Sequence, residues 1–312
     1  MLLDAVILVA GIALLVWGAR KAISAAVDIA NATGIDRYGV GATIVATLTS
    51  LPELAVAVMA VMDGRPEIAT GTAVGSVIGL FLLSFGVLGL MTTVRFGKER
   101  RREMLWAAII TSWVTILLVL FRKIPAVLGL LLVLLYVGYM HLVREGRISS
   151  LKRRAGGRKV WMATLLLVIS TAVVFAGAEL VVRGSEGIAR AMGIPEFFIA
   201  FFIVALGTNM PELSVEIAAV RARETGIAIG DILGSAVADL TLVLGTAALV
   251  GALSGHTIVF NGTTGIVAAM MLGASLVGLK LSREEVITKW EALSLIILYI
   301  LVVWAELVSG SV

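Results

Sequence analysis

Long apolar runs alternate with short polar breaks along almost the whole chain, and that alternation predicts its elements. A helix that crosses a bilayer needs about 20 mostly apolar residues, or about 17–25 when tilted. By that measure ten spans are expected, at 2–26, 38–62, 68–92, 103–121, 124–143, 160–184, 196–220, 227–251, 258–280 and 288–309. Inside a bilayer every backbone polar group must be satisfied within the protein, so helices are the expected form. Two of the runs carry residues that a lipid-facing helix should exclude. IVATLTSLPELAV (44–56) and IVALGTNMPELSV (203–215) each hold a proline, a carboxylate and neighbouring hydroxyl or amide groups.

These two stretches are copies of one another. With a shift of 159 residues the halves align without a gap from Gly18/Gly177 to Gly86/Gly245, and about a third of the positions are identical. IATGTAVGSV (68–77) falls on IAIGDILGSA (227–236) in the same register. Five spans per half is an odd number, so the second copy must enter the membrane inverted. The expected fold class is an all-α integral membrane protein with ten transmembrane helices in two inverted-topology five-helix repeats. Residues 1–143 would form the first repeat, 144–159 a basic cytoplasmic linker and 160–312 the second repeat. Inverted repeats with interrupted helices at matching positions point to a secondary transporter with its binding site near the midplane.

Composition and charge narrow the picture. The chain is 60% hydrophobic and 15% charged, with a mean hydropathy of +1.06. A soluble domain is nearer half apolar and a quarter charged, so lipid is the expected solvent. The basic residues gather in RFGKERRRE (95–103) and REGRISSLKRRAGGRK (144–159). Such clusters between apolar runs mark cytoplasmic loops rather than a nucleic-acid-binding face. Both lie on one side when two spans separate them, which puts both termini outside; Arg122 and Lys123 then fall on the outer side. Asp4 and the lack of a basic leader read the first run as a span, not a cleaved signal. There is no cysteine, and His141 and His256 lie far apart at segment ends. Thiolate and histidine metal sites are thereby disfavoured, and no cofactor is expected. The tryptophans near span ends fit interfacial anchoring.

The chemistry sits in two adjoining spans of each half, TLTSLPEL (47–54) with GTAVGSVIGL (71–80), and LGTNMPEL (206–213) with GDILGSAVADL (230–240). Proline lacks a backbone donor and clashes with the carbonyl four residues earlier. Pro52 and Pro211 should therefore open their helices, and carbonyls near the kinks, including those of Ala46 and Ala205, become candidate cation ligands. Glu53 and Glu212 follow the prolines. Thr49, Ser50, Thr208 and Asn209 lie about one turn before them, and Ser76, Ser235 and Asp239 stand on the neighbouring spans. All of these donors are oxygens. That is hard-cation chemistry, suited to calcium with six to eight oxygens at about 2.3–2.6 Å or to sodium in a smaller cage. Three bare carboxylates at the midplane would be very costly, so they must carry cations or protons whenever the protein rearranges. The four-residue spacing of Gly71 with Gly75, and of Gly230 with Gly234, predicts close packing of spans 2 and 3 and of spans 7 and 8.

At these residues the chain resembles the calcium/cation antiporter superfamily, most closely its prokaryotic sodium/calcium exchanger branch. The resemblance covers essentially the whole chain. It implies that Glu53 and Glu212 are shared ligands for calcium and for flanking sodium ions. The Ala46 carbonyl, Ser50 and Ser235 would then serve one flanking site; the Ala205 carbonyl, Thr208 and Ser76 would serve its mirror. Asp239 would join the glutamates in the middle. Leu80 stands where the family usually has Asn, Asn209 where it often has Ser, and Thr72 and Asp231 where it often has Asn.

The expected activity is therefore exchange of calcium, or a similar divalent ion, for sodium, with the bilayer and no obligate protein partner as surroundings. Spans 1 and 6 are expected to slide against an eight-helix body. A proton-coupled exchanger using Glu216 or Asp231 is the nearest alternative, and a cation channel is another, though no filter-like loop appears. An enzyme is disfavoured because no nucleophile–base set accompanies the acids. For Glu216 the plainer reading is a pair with Arg221 or Arg223 near the helix end; Arg20, Lys21, Glu179 and Arg183 are expected to snorkel or pair at the interface.

Overall fold

The structure is a computed structural model that describes residues 2–62, 64, 66–93, 98–121, 123–145, 157–192, 209–259 and 286–309. It is helical almost throughout. The first half contains α1 (Leu2–Thr33), α2 (Arg37–Val40), α3 (Ala46–Thr49), α4 (Leu51–Met62), α5 (Pro66–Ile78), α6 (Phe85–Met91), α7 (Lys98–Phe121) and α8 (Ala126–Glu145). The second contains α9 (Gly157–Ala191), α10 (Met210–Arg221), α11 (Thr225–Ala238), α12 (Leu244–Leu253) and α13 (Lys289–Ser309). Wide π turns at Gly41–Val45, Gly79–Ser84 and Asp239–Val243 join α2 to α3, α5 to α6 and α11 to α12. The small exception to helix is an antiparallel pairing of β1 (Lys123–Ile124) with β2 (Ile258–Val259).

Among the described residues five helices are long and apolar enough to cross a membrane, or six if the pair bent by 42° at residues 49–53 is one span. The outer helices show where lipid lies. One side of α1 buries Gly11, Leu15, Gly18, Ala22, Ala25 and Ile29, while Leu2, Val6, Val9, Ile12 and Trp17 are exposed. On α8, Val127, Leu131, Leu134 and Val137 are likewise bare. Patches of this size are disfavoured in water and natural against acyl chains. All six tryptophans are exposed. By contrast α11 is apolar or small apart from Asp231, and each of its residues from Gly226 to Ala238 is buried. A helix that is apolar all round belongs in the centre.

The two longest helices, α1 and α9, pack along each other and run antiparallel. A methyl on Gly18 would meet Ser170 and Val174, one on Gly177 would meet Gly11 and Leu15, and one on Gly184 would meet Asp4 and Leu8. As the number rises along α1 it falls along α9. Small residues let the two backbones approach, the usual way helices associate in lipid. On the exposed side of α9 Arg183 pairs with Glu179 one turn away, as expected of interfacial charges.

The glycine expectation is corrected. The structure does place α4 against α5 and α10 against α11, but the spaced glycines are not what joins them. A methyl on Gly230 would strike Tyr38 and Ala42, and one on Gly234 would strike Ala42 and Ala46. These glycines therefore seat α11 against the α2–α3 segment of the other half. Gly71 and Gly75 meet no atom within 4 Å. Helix spacing fixes which residues share a face, but not which neighbour the face selects.

A second tie between the halves lies at a helix end. The Arg37 side chain donates to Glu224 at 3.0 Å, to Asn31 at 3.0 Å and to the Val27 carbonyl at 3.2 Å. Both partners of the ion pair are partly exposed, at 32% and 23%, so water screens it. Arg37→Ala should cost about 1 kcal/mol, read as a fall of a few degrees in the melting temperature of the detergent-solubilised protein.

Candidate cation site

The two proline-containing breaks have the same backbone. Ser50, before Pro52, has φ −81° and ψ 2°; Asn209, before Pro211, has φ −97° and ψ 2°. In each break the residue four further on returns a hydrogen bond: Leu54 N–H donates to Ser50 O and Leu213 N–H to Asn209 O, both at 3.1 Å. The π turns match too, since Gly79–Ser84 and Asp239–Val243 occupy corresponding places under the 159-residue shift. A π turn displaces one backbone hydrogen bond and re-aims the side chains beside it, and such turns often occur at functional positions.

These breaks turn carboxylates inward. Glu53, Glu212 and Asp239 are all buried, as are Thr49, Ser50, Ser76, Asn209 and Ser235. The Glu53 and Glu212 carboxyl groups lie side by side, with the Asp239 charge close to both. The hydroxyls of Ser76 and Ser50 flank Asp239. Glu53 Oε2, Glu212 Oε2, Ser50 Oγ and both Asp239 oxygens are buried without a hydrogen-bond partner. Each such oxygen costs about 1–3 kcal/mol, and more if charged; a hard cation would satisfy several at once. Among the described residues no three Asp, Glu or His side chains already stand at metal-ligating spacing. The carboxylates would have to draw together around an ion.

A cavity of about 280 Å³ reaches this cluster. Glu53, Gly71, Thr72, Ser76 and Asn209 line it, with Tyr299, Val302 and Val303 of α13 closing one side. The openness around Gly71 and Gly75 is explained by it: these glycines border a space rather than a helix. Gly79 has a different task, because a methyl there would collide with the Asn209 amide.

The sequence-derived donors fare differently. The Ala46 carbonyl is not freed by the kink: it accepts from Ser50 N–H at 3.1 Å. Pro52 removes the donor four residues beyond Leu48, whereas Ala46 keeps its own. Thr49 stands 3.2 Å from each of Asp231 Oδ1 and Ser235 Oγ, linking α3 to α11. Ala205 and Thr208, with all of the 196–208 portion of span 7, the 146–156 linker segment and most of span 9, lie outside the described residues. Leu80 is fully buried in its π turn.

Two acids that sequence reasoning treated as secondary prove to be interior. Glu216 is wholly buried, neither oxygen has a hydrogen-bond partner, and Arg221 and Arg223 are exposed. The expected pairing with those arginines does not occur. Asp231 is also wholly buried. The available signal was spacing: Glu216 follows Glu212 by four residues and Asp231 precedes Ser235 by four, which places each on the face of a candidate ligand. Thr47 was also missed; its hydroxyl lies 2.7 Å from the Tyr136 hydroxyl, tying this span to α8.

Fold and site together define an integral, multi-pass membrane protein with acidic groups sequestered in its interior. The chain belongs to the sodium/calcium exchanger protein family, whose model matches residues 3–143 and 162–308. That is a family of transporters, not of enzymes. Over 301 residues the chain is 28% identical to an uncharacterized membrane protein of Methanocaldococcus jannaschii, covering 94% of each. It is 26% identical to the sodium/calcium exchanger MaX1 of Methanosarcina acetivorans, covering 94% of this chain and 95% of the relative. Its structure is similar to that of the sodium-calcium exchanger NCX_Mj, with a TM-score of 0.82, 25% identity and coverage of 97% and 99% of the two chains.

Proposed function

We propose that this protein is a secondary active antiporter that exchanges calcium, or a similar hard divalent cation, for sodium. The observation that carries this reading is the buried set of Glu53, Glu212 and Asp239, with five oxygens of the cluster left without hydrogen-bond partners. Charged groups inside a membrane protein are costly and mark ion pathways. Oxygen-only donors suit calcium and sodium. Glu53 and Glu212 bind the divalent ion between them, Asp239 neutralises a second position, and Ser50, Ser76, Thr49 and Ser235 add hydroxyl oxygens. Ala205, Thr208 and Asn209 complete the set from the second half. The names of the similar exchangers point to the same ions.

The mechanism is alternating access around a site near the midplane. Each half supplies five of ten helices, and the second half is inverted. The antiparallel packing of α1 on α9 supports this, because these helices correspond under the 159-residue shift yet run in opposite directions. The shared break and π turn support it further. The α1–α9 pair, joined by glycines and bare to lipid on its outer side, moves against the rest. An empty cluster resists the movement because its carboxylates lack countercharge, and that couples the two ions. The basic loops lie in the cytoplasm and both termini outside, in a prokaryotic cell membrane.

Purified protein in sodium-loaded liposomes tests this reading. Dilution into sodium-free buffer should drive ⁴⁵Ca²⁺ uptake, and a pH gradient of equal size should not. Uptake that follows only the pH gradient would assign the coupling to protons instead. Currents far above exchanger turnover would identify a channel.

A further inference from the structure

The second half carries acids that its own internal copy lacks. Under the 159-residue shift Glu216 falls on Ala57 and Asp231 on Thr72. Neither belongs to the paired-glutamate cluster, yet both side chains are wholly buried. Glu216 projects from α10 toward Asp231 on the adjoining α11. Ser84, also buried, comes beside Glu216 from the π turn of the first half.

The partners of these acids are few. Asp231 Oδ1 accepts from the Thr49 hydroxyl at 3.2 Å. Asp231 Oδ2 and both oxygens of Glu216 are buried with no hydrogen-bond partner. Among the described residues no basic side chain acts on either carboxylate. A buried ion pair stripped of one partner is strongly destabilising, because the remaining charge is uncompensated. Here two acids stand together without a cationic side chain among the described residues. A structural role would normally bring an arginine, a lysine or several N–H donors to them.

We propose that Glu216, Asp231 and Ser84 form an additional cation site, distinct from the Glu53–Glu212–Asp239 cluster, that takes a sodium-class monovalent ion. Three free carboxylate oxygens and one hydroxyl make four donors, short of the six to eight that calcium takes. Thr49 connects the two sites: it bonds Asp231 on one side and Ser235 on the other. An ion at Glu216–Asp231 therefore fixes a hydroxyl that borders the main cluster. The site rests on burial and missing partners, and it stands whether or not the main cluster carries calcium.

Equilibrium binding of ²²Na⁺ to the purified full chain tests the proposal, with ⁴⁵Ca²⁺ binding measured on the same samples. Glu216→Gln and Asp231→Asn should each bind one sodium ion fewer per chain than the parent, while calcium binding persists. Asp231→Asn keeps the acceptor for Thr49, so it decides the matter if Glu216→Gln does not yield monodisperse protein. An unchanged sodium count in the folded variants overturns the proposal, including the case in which the two carboxylates hold protons. Glu53→Gln separates the two readings. It should abolish calcium binding and leave the sodium ion at Glu216–Asp231 in place; calcium binding that survives it counts against the main cluster alone.

Discussion

Glu212→Gln is expected to lower sodium-driven calcium uptake by at least about a hundredfold, while the protein still folds and inserts. A hundredfold corresponds to about 2.7 kcal/mol, within the cost of losing a charged partner in a water-poor interior. Glu212 is the centre of the acidic network: it is nearly inaccessible and lies beside Glu53, with Asp239 and Asp231 also acting on it. Glutamine keeps the volume and one oxygen acceptor, so packing against α11 survives. It removes the charge that draws a cation out of water, and it adds an N–H₂ group that repels one. Glu179→Gln is the fitting control. That residue is exposed on α9 and paired with Arg183, and its loss should leave transport intact. Uptake by Glu212→Gln at near the parent rate would remove the cluster from the mechanism.

The second large effect concerns folding. Gly230→Val should greatly reduce the yield of monodisperse protein and lower its melting temperature sharply. A Cβ at position 230 would land on backbone atoms of Tyr38 and Ala42, not on the end of a flexible side chain. Overpacking that side chains can absorb costs about 1–3 kcal/mol; here whole helices must separate. The contact is also the seam between the halves, so its loss disturbs both the α2–α3 segment and α11, which hold Thr49 and Ser235. Gly138→Ala provides the contrast. Nothing lies within 4 Å of its added methyl, and alanine favours helix by about 1 kcal/mol over glycine. That variant should melt at or above the parent temperature.

Much of this architecture is legible in the chain. Several of the apolar runs fall on observed helices within a few residues: 68–92 on Pro66–Met91, 227–251 on Thr225–Leu253 and 288–309 on Lys289–Ser309. They are legible because the burial of apolar residues and the breaking of a helix by proline are local effects. The duplication is legible for the same reason, since equal local sequences produced equal breaks at Ser50 and Asn209. Of the candidate site, the acids Glu53, Glu212 and Asp239 could be named from residue types and spacing, and the structure buries all three. What failed were statements about partners: the freed Ala46 carbonyl, the glycine contacts within each half, and the arginine pair for Glu216.

By itself, then, the sequence determined the solvent, the helices, the repeated polar breaks and the acids that must be neutralised. The tertiary structure decided which surfaces meet: α1 antiparallel to α9, Gly230 against Tyr38, and Glu216 toward Asp231 and Ser84. Those pairings join residues far apart in the chain, and their choice depends on how closely shaped surfaces fit. Periodicity assigns a residue to a face, whereas only the packed molecule assigns that face to a neighbour.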